Sequence, residues 1–531
     1  MVDASIAVAG LEGGANARHP VAGGCNDPVS MTGRIESRRL EANGKLDPQK
    51  KSAQGQYMTP YGVAQFMASL FRAQEGGEVR LLDAGAGVGS LTAAFVEAWC
   101  CRNPHVSRMA VTAYELEPVF TGYLQDTLTD CRQMCCQVGM AFDADLLTQD
   151  FLEAGAYQLF MGREPSRRFT HAILNPPYKK IHSASTHRLL LRALGIETGN
   201  LYTGFLAVAI KLLEPGGELV AITPRSFCNG PYFTAFRHLL LETMALRHIH
   251  VFESRKQTFK EDDVLQEHII LYAVKYAPQE RVTLSLSHGL DFAHGTSRDV
   301  DCAEVVSPQD PHRFLHLAVS DDEQRSLECM RAMPCTLQGL GIEASTGPVV
   351  DFRLKTYLRR EPEAGTVPLI YPAHCQDNIV TWPQAECRKP NAILDVEPVQ
   401  KWLYPNGYYT LVRRFSSKEE RRRVVAAVHD PDHVPGEKIG FENHLNVLHC
   451  HRQGLSQGLA RGLAVYLNST FVDRCFRQFN GHTQVNVKDL YNLRYPEQET
   501  LIAFGTCVEK QSFPTQDDID GWMEKALLIY G

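Results

Sequence analysis

The tetrapeptide Asn175-Pro176-Pro177-Tyr178 directly follows FTHAIL (169–174), a run of residues typical of a buried strand. Proline lacks a backbone N–H and holds the chain extended, so the tetrapeptide presents its carbonyl groups and the Asn175 side-chain oxygen as fixed acceptors. The Asn175 oxygen and the Pro176 carbonyl match the two N–H donors of a planar aromatic amine, and Tyr178 would stack on its ring. Holding both donors favours a more tetrahedral nitrogen with an available lone pair. The motif therefore predicts nucleophilic attack by an aromatic amine.

A glycine-rich loop, Asp83-Ala84-Gly85-Ala86-Gly87-Val88-Gly89, comes where a predicted strand gives way to a helix. Glycines allow a tight turn and let the backbone approach a ligand closely. The carboxylate of Glu115 ends the next predicted strand, where it can accept hydrogen bonds from the ribose hydroxyls of a nucleoside. The spacing G-x-G-x-G differs from the G-x-G-x-x-G that grips a pyrophosphate in dinucleotide-binding proteins. A cofactor with a ribose and no phosphates fits better, and S-adenosylmethionine is therefore expected.

Two alternatives to this cofactor site are a glycine turn that binds nothing and a nicotinamide-dependent enzyme. The tetrapeptide disfavours both, because neither requires a rigid pair of amine acceptors after a neighbouring strand.

Both motifs need a parallel sheet, because the carboxyl ends of parallel strands lie at one edge. From about residue 56 to 275, short β-rich runs alternate with helical stretches, which is typical of an α/β, doubly wound, mostly parallel sheet of about seven strands. Two strands, His248 to Phe252 and Glu267 to Tyr276, are expected to pair antiparallel at the sheet edge. The pattern predicts a Rossmann-like catalytic domain over residues 53–278.

The regions on either side have a different character. Residues 1–52 are rich in Gly, Ala, Asn and Ser without a sustained apolar period, and we expect a disordered or loosely attached tail. Residues 279–531 contain short segments of mixed type and no second βαβ series. They predict a separate α+β domain.

The composition, with 44% hydrophobic and 22% charged residues, is typical of a globular protein with buried cores. No apolar run reaches the about 18 residues that a membrane span needs, and we identify no signal peptide, so a cytoplasmic protein without membrane association is expected. The 15 cysteines lack zinc-ligand spacing, which predicts reduced thiols and no metal. A net charge of −7 does not favour nucleic-acid binding, but Arg413-Arg414 and Arg421-Arg422-Arg423 offer local basic faces.

Taken together, the motifs resemble the gamma-group DNA adenine-N6 methyltransferases of the TaqI kind. In that family a Y/F-x-T-P segment precedes the glycine loop, the acidic strand end, the N-P-P-Y motif and a target-recognition domain, and here Tyr57-Met58-Thr59-Pro60 occupies the first place. The similarity covers roughly residues 54–500 and is greatest to modification enzymes that accompany PstI-like endonucleases. The resemblance implies methylation of adenine N6 in double-stranded DNA after base flipping. It further implies a monomeric type II modification enzyme that acts separately from a cognate restriction endonuclease.

Several residue roles are implied only by the resemblance. Tyr57 and Thr59 would contact the methionine part of the cofactor, Asp83 would lie near its amino group, and Glu115 would hold its ribose. Asp150-Phe151-Leu152 matches a D-F-L segment in which the Asp meets the cofactor adenine amine and the Phe its ring. The remaining cofactor-binding positions are in the glycine loop: Ala84, Gly85 and Gly87.

Further assignments concern the DNA. Phe259, before Val264-Leu265-Gln266-Glu267, matches the aromatic residue that packs against the flipped base opposite Tyr178, with a core aromatic as the alternative. Four C-terminal segments resemble the family's recognition regions: 411–419, 442–446, 466–470 and 481–486. Asn and Gln side chains suit the major-groove edge of adenine, although a structural cap or turn is the alternative for any one of them.

Related enzymes share the N-P-P-Y chemistry, namely N5-glutamine protein methyltransferases and guanine-N2 RNA methyltransferases. Those enzymes usually place a smaller domain before the glycine loop and lack a long C-terminal region. A non-catalytic DNA-binding protein is a further alternative, which the intact Asp83, Glu115, Asn175 and Tyr178 disfavour. We therefore predict a site-specific DNA adenine methyltransferase.

Overall fold

The computed structural model describes residues 31–46, 57–73, 77–102, 106–162, 168–253, 267–385, 387–416, 420–481, 483–508 and 512–530. In the N-terminal region the strands are β1 (Glu78–Ala84), β2 (Arg108–Tyr114), β3 (Ala141–Leu147), β4 (Phe169–Leu174), β5 (Leu213–Pro224), β6 (Met244–Phe252), β7 (His268–Lys275), β8 (Val282–His288) and β9 (Asp291–Val300). The helices are α1 (Met31–Lys45), α2 (Tyr61–Ser69), α3 (Ser90–Arg102), α4 (Pro118–Gln137), α5 (Phe151–Phe160), α6 (Thr186–Ala193), α7 (Leu201–Leu212), α8 (Thr234–Thr243), α9 (Cys302–Val305) and α10 (Asp321–Ala332). Within the described ranges, every helix is too short or too polar to cross a membrane.

The strands β1 to β9 form one nine-stranded sheet in the order β3-β2-β1-β4-β5-β7-β6-β8-β9. The strands β1 to β5 are all parallel to one another, whereas β7 is antiparallel to both β5 and β6. The chain builds outward from β1 to β3 and then returns to place β4 on the other side of β1. This reversal creates a crevice at the carboxyl ends of β1 and β4, where open α/β sheets bind their ligands.

Both faces of the sheet are covered, which explains why its central strands are almost wholly apolar. Along β4 and β5, Ala172, Leu174 and Leu219 belong to the core on one face, and Ile173 and Val220 to the core on the other. Because successive side chains of a strand point to opposite faces of the sheet, each of these strands contributes residues to both cores. The predicted α/β class and the mostly parallel arrangement are confirmed.

The predicted strand count and edge are wrong. The sequence analysis did not identify β3, because only alternate residues of Ala141–Leu147 face the core and its other positions are polar or exposed. The antiparallel pairing of β6 with β7 is confirmed, but these strands do not form the edge, since β8 pairs with β6 in parallel and β9 completes the sheet. The domain boundary expected near residue 278 is therefore too early, because the sheet continues to Val300.

The expectation of a loosely attached tail is wrong for residues 31–45, which form helix α1. Met31, Ile35 and Ala42 of this helix are buried. Its polar residues also bind the domain: Arg38 donates a hydrogen bond to Asp130 on α4 at 2.8 Å, and Glu36 accepts one from the Tyr61 N–H at 3.2 Å. The buried positions Met31, Ile35, Arg39 and Ala42 lie three to four residues apart, but one of them is an arginine, so the sequence shows no regular apolar period.

The C-terminal region is an α+β domain with three layers, as predicted. A six-stranded sheet and a five-stranded sheet enclose one apolar core, and helices cover the outer face of the six-stranded sheet. The strands are β10 (Glu343–Thr346), β11 (Leu358–Arg359), β12 (Thr366–Ile370), β13 (Cys375–Gln376), β14 (Ile379–Val380), β15 (Ala392–Leu394), β16 (Leu403–Pro405), β17 (Tyr409–Arg413), β18 (Ala426–His429), β19 (Lys438–Phe441) and β20 (Leu445–His449). The helices are α11 (Gln457–Leu467), α12 (Thr470–Phe479), α13 (Val487–Asn492), α14 (Gln498–Thr506) and α15 (Gln516–Tyr530).

Candidate active site

The glycine loop and the N-P-P-Y tetrapeptide meet at the carboxyl ends of β1 and β4. A Cβ atom added to Gly85 would lie 3.8 Å from the Asn175 carbonyl oxygen. The two motifs border a cleft of about 790 Å³, its open mouth included. The juxtaposition predicted from the two strand ends is therefore present.

The three loop glycines have backbone conformations that other residues rarely adopt. Gly85, Gly87 and Gly89 have φ angles of +82°, +59° and +85°, in the left-handed region where a side chain causes strain. The N–H groups of Gly85 and Ala86 both donate to the Tyr114 carbonyl of β2 at 2.9 Å. At Gly89 there is also no space, since an added Cβ would lie 2.9 Å from side-chain atoms of Leu124 and of Thr127.

Two buried carboxylates flank this loop. Glu115 accepts hydrogen bonds from the backbone N–H groups of Gly87 and Glu117, both at 2.7 Å, and it borders the cleft. Burial raises the pKa of Glu115, and these two hydrogen bonds oppose the shift. Asp83 lies behind the loop, fully buried, and one of its oxygens accepts from the Thr92 hydroxyl at 2.7 Å. Burial raises the pKa of Asp83 to about 7, and its second oxygen, Oδ1, has no partner among the described residues.

The Asn175 side chain is held in one orientation. Its Nδ2 donates to the Tyr57 carbonyl oxygen at 2.8 Å and to the Thr59 hydroxyl at 2.9 Å. Both hydrogens of the amide are thereby used, and the opposite atom, Oδ1, must be the acceptor. Tyr57 and Thr59 were predicted from the resemblance to touch a cofactor, and the structure shows that they also orient the candidate catalytic amide.

Tyr178 is hydrogen-bonded to the same amide. Its hydroxyl donates to Asn175 Oδ1 at 2.6 Å. Its ring lies among other rings, with centroids 5.0 Å from His268, 5.8 Å from Tyr57 and 6.2 Å from Tyr202. Burial raises the pKa of Tyr178 well above its ordinary value, so this hydroxyl remains protonated and serves as a donor. Stacking of Tyr178 on a substrate ring stays a prediction.

Many of the predicted residues border the cleft, while others lie behind it. Those that border it are Tyr57, Thr59, Gly85, Gly87, Glu115, Phe151, Asn175 and Pro177. Asp83 and Ala84 are fully buried at the end of β1. Asp150 caps helix α5 by accepting from the Glu153 N–H at 3.1 Å, and its other oxygen lies 3.1 Å from His187 Nε2. Cofactor contacts by Asp83, Ala84 and Asp150 stay predictions, and Phe259 with 264–266 falls outside the described residues.

The sequence analysis did not select several other residues of the cleft wall, which are Met58, Ala86, Val88, Ser90, Leu91, Tyr114, Leu116, Phe120, Gln149 and Phe205. Some of them adjoin a motif, as Gln149 adjoins Asp150 and Ser90 adjoins Gly89, and adjacency could have identified these. Phe205, in the middle of helix α7, has the pattern of an ordinary core residue. Only the packing of α7 against the strand ends brings it to the cleft.

The polar C-terminal residues that resembled base-reading positions are mostly structural. Asn468 is fully buried, and its amide bonds both the N–H and the carbonyl of Ala426. Asn446 is equally buried and donates to the Val485 carbonyl at 2.8 Å. In the predicted basic run, Arg423 is 1% exposed and donates to Asn480 Oδ1 at 2.8 Å. The basic face expected at 421–423 is therefore wrong for Arg423, which is bonded inside the domain.

The chain is similar to known proteins over most of its length. Residues 129–259 match the Eco57I restriction-modification methylase family. The chain is 44% identical over 499 residues to the type II methyltransferase M.BsuBI of Bacillus subtilis, which covers 93% of this chain and 97% of that enzyme. It is 42% identical over 503 residues to the type II methyltransferase M.PstI of Providencia stuartii, with 94% and 98% covered.

Among solved structures, the type IIG restriction endonuclease BpuSI aligns with 94% of this chain and 67% of its own, at 13% identity and a TM-score of 0.44. The two enzymes with more than 40% identity span nearly the whole chain, and they confirm the resemblance to modification enzymes of the PstI kind. The chain belongs to the family of type II methyltransferases that includes M.BsuBI and M.PstI.

Proposed function

We propose that this chain transfers the methyl group of S-adenosylmethionine to the N6 amine of adenine in double-stranded DNA. The observation that carries the proposal is the fixed orientation of Asn175, whose Nδ2 is bound to Tyr57 and Thr59 at 2.8 and 2.9 Å. An amide locked in this way offers only its oxygen to a substrate. An exocyclic amine needs such an acceptor, whereas a substrate carbonyl would need a donor.

The cleft has the chemistry that this cofactor requires. Glu115 provides a carboxylate for a ribose diol, and the aromatic rings of Phe151 and Phe205 line the same cleft for an adenine ring. The Ser90 hydroxyl also borders the cleft, and it is buried without a partner among the described residues, which suits a polar ligand. When bound, S-adenosylmethionine supplies an electrophilic methyl group on a positively charged sulfur.

The residues of the tetrapeptide activate the amine by holding it. Asn175 Oδ1 has two lone pairs, so it can accept from the Tyr178 hydroxyl and from the substrate amine together. The Pro176 carbonyl would accept the second N–H, and the nitrogen lone pair then points into the cleft. Positioning by fixed dipoles supplies most of such a rate enhancement. The attacking amine is neutral, so a strong general base is not needed before methyl transfer.

The proposed substrate requires a second domain. Adenine in a duplex must leave the base stack before its amine can reach Asn175, and an enzyme that modifies one site must also read the flanking sequence. The C-terminal α+β domain is the proposed target-recognition domain. By the relationship to M.BsuBI and M.PstI, we propose a monomeric, cytoplasmic modification enzyme that protects DNA from a separately acting endonuclease.

The test is methylation of duplex DNA by the purified chain with radiolabelled cofactor, followed by identification of the methylated base. Asn175→Ala should lower the rate by at least about 100-fold, because the amine loses a fixed acceptor. Tyr178→Phe should have a smaller effect of roughly 10-fold, since the ring remains and the amide loses one orienting donor.

The control is Asn492→Ala, which changes a half-buried asparagine at the end of α13, remote from the cleft. It should leave the rate of methylation unchanged. Labelled protein or RNA with unlabelled DNA, or full activity of Asn175→Ala, would contradict the proposed function.

A further inference from the structure

The segment that follows strand β5, here called the rim, lies at the same carboxyl edge of the sheet as the tetrapeptide, and the hydroxyl of its Ser226 lies 3.0 Å from that of Tyr202. The rim contains two short 3-10 turns, Arg225–Cys228 and Pro231–Phe233. The Phe233 ring lies 5.6 Å from the ring of Tyr202, which itself lies 6.2 Å from that of Tyr178. Tyr232 is adjacent to Phe233 in the chain but is 82% exposed. The rim therefore presents a large aromatic side chain to solvent.

The same segment is fixed to the C-terminal domain. Asn229 donates to Asp489 at 3.0 Å and accepts from the Gly481 N–H at 3.3 Å. Arg225, paired with Glu267 at 3.1 Å, also donates to the Arg477 carbonyl at 2.9 Å. Gly481 approaches so closely that an added Cβ would lie 2.7 Å from the Arg225 backbone. The rim and the C-terminal domain are thus held together by buried polar contacts.

A second exposed aromatic residue lies on the C-terminal side of this junction. Phe415 is 41% exposed, and its neighbours Arg414 and Ser416 are bonded to 483–485: the Val485 N–H donates to the Arg414 carbonyl at 2.7 Å, and the Ser416 N–H to the Thr483 carbonyl at 3.0 Å. Burial lowers the pKa of Arg414, and Glu442 and Tyr232 oppose the decrease. The Arg414 guanidinium lies 5.8 Å from the centroid of the Phe415 ring. Phe415 adjoins Thr483 and Val485, and Gly481 contacts Asn229 and Arg225 in the segment that carries Tyr232, so both exposed rings lie on segments bound to the same stretch of the C-terminal domain.

Two exposed rings beside a guanidinium form a surface that suits stacked bases and a phosphate. Aromatic side chains stack on bases of any sequence, and arginine adds charge for the backbone. Extruding a base leaves a gap in the duplex, and proteins that open a base step commonly insert a large side chain there. These rings expose apolar surface in the free protein, and stacking on DNA would bury that surface, which favours binding.

We propose that Tyr232 and Phe415 form an aromatic clamp that stacks on the duplex beside the extruded adenine and fills the gap that it leaves. This inference rests on the proposed function. It assigns the two residues to the base-flipping step, while Asn175 and Tyr178 act on the adenine itself.

The experiment compares Tyr232→Ala, Phe415→Ala and the unchanged chain on two DNA duplexes under single-turnover conditions. One duplex has the target adenine paired with thymine, and the other has it opposite an abasic site, where extrusion is easier because no pair must be broken. If the clamp exists, each variant should methylate the paired target roughly 10- to 100-fold more slowly than the unchanged chain, the size expected for the loss of one stacked base. On the abasic duplex the fall should be less than about 3-fold.

A second measurement follows extrusion directly, with 2-aminopurine at the target position. Its fluorescence increase on binding should be much weaker for both variants. Tyr157→Ala is the matched control, since Tyr157 is 65% exposed on helix α5, and it should behave like the unchanged chain. An equal loss of methylation rate on both duplexes, or no loss of rate on the paired duplex, would contradict the proposed clamp. Failure of the unchanged chain to methylate either duplex would instead contradict the proposed function.

Discussion

Asparagines in the two regions of this molecule have opposite roles although they look alike in sequence. Asn175 lies at a strand end of the α/β domain, half-buried, with its amide N–H groups bound and its oxygen directed to a polar cluster. Asn468, in the C-terminal domain, is fully buried, and both ends of its amide bond the backbone. An amide can serve a substrate only where the fold leaves part of its hydrogen-bonding capacity unused.

This difference between the two asparagines shows that motifs predict functional residues better in the α/β domain than in the C-terminal domain. In the α/β domain the chemistry-bearing residues follow strands, and a parallel sheet brings all such positions to one edge. In the C-terminal domain, the segments that resemble recognition regions combine buried residues such as Asn468 with exposed residues such as Phe415. The most polar residues of that domain are used to support its irregular loops.

The largest expected effect on stability separates the two asparagines. Asn468→Ala should lower the free energy of unfolding by about 3 kcal/mol, because the buried Ala426 N–H and carbonyl both lose their partner. Asn175→Ala should cost less stability than this, because water can reach a half-buried site, while it lowers the rate of methylation by at least about 100-fold. Denaturant titration of both variants, with activity measured per folded molecule, checks this contrast. If Asn468→Ala is as stable as the unchanged chain but no longer recognises DNA, the structural role assigned to Asn468 is wrong.

The next effect concerns the glycine loop. Gly89→Ala should destabilise the domain by roughly 2 kcal/mol, because its φ is +85° and the new Cβ would lie 2.9 Å from two side chains of α4. It should also weaken cofactor binding, measured by calorimetry. Gly122→Ala, within α4 and with open space around the new Cβ, is the control and should stabilise by roughly 0.5–1 kcal/mol. A cofactor affinity unchanged in Gly89→Ala would argue against the loop as its binding site.

The smallest effect, taken per pH unit, compares one buried carboxyl group in each region. Burial raises the pKa of Asp83 to about 7 and that of Asp489 to about 6. An unfolded Asp loses its proton near pH 4, so each group makes stability fall as pH rises from about 4 to its folded pKa, by at most about 1.4 kcal/mol per pH unit. Asp83→Asn and Asp489→Asn should each remove their part of this slope, as measured by unfolding between pH 4 and 8.

Adding the cofactor makes the same measurement more specific. A cationic amino group near Asp83 would favour its ionised form and reduce the slope, whereas Asp489, which does not line the cleft, should be unaffected. If saturating S-adenosylmethionine leaves the Asp83 contribution unchanged, the predicted contact between this carboxyl and the cofactor amino group is wrong.

The sequence alone predicted the elements whose local residue pattern agrees with their place in the fold. The apolar strands β1 and β4, the loop 85–89 with its positive φ angles and the rigid tetrapeptide 175–178 each carry their own conformational signal. Their placement at one sheet edge follows from parallel pairing. Helix α1 and strand β3 were missed because their burial depends on partners far along the chain, with Asp130 binding α1 and β2 pairing with β3.

The sequence by itself determined the α/β class, the two motifs of the cleft and the kind of chemistry that they support. Only the tertiary structure decided that Tyr57 and Thr59 orient Asn175 and that Asn468 and Arg423 are internal supports. It also decided that Tyr232 and Phe415 are exposed on segments bound to the same stretch of the C-terminal domain. The physical reason is that a polar side chain has the same donors and acceptors wherever it occurs, and the folded chain alone fixes which of them are already satisfied.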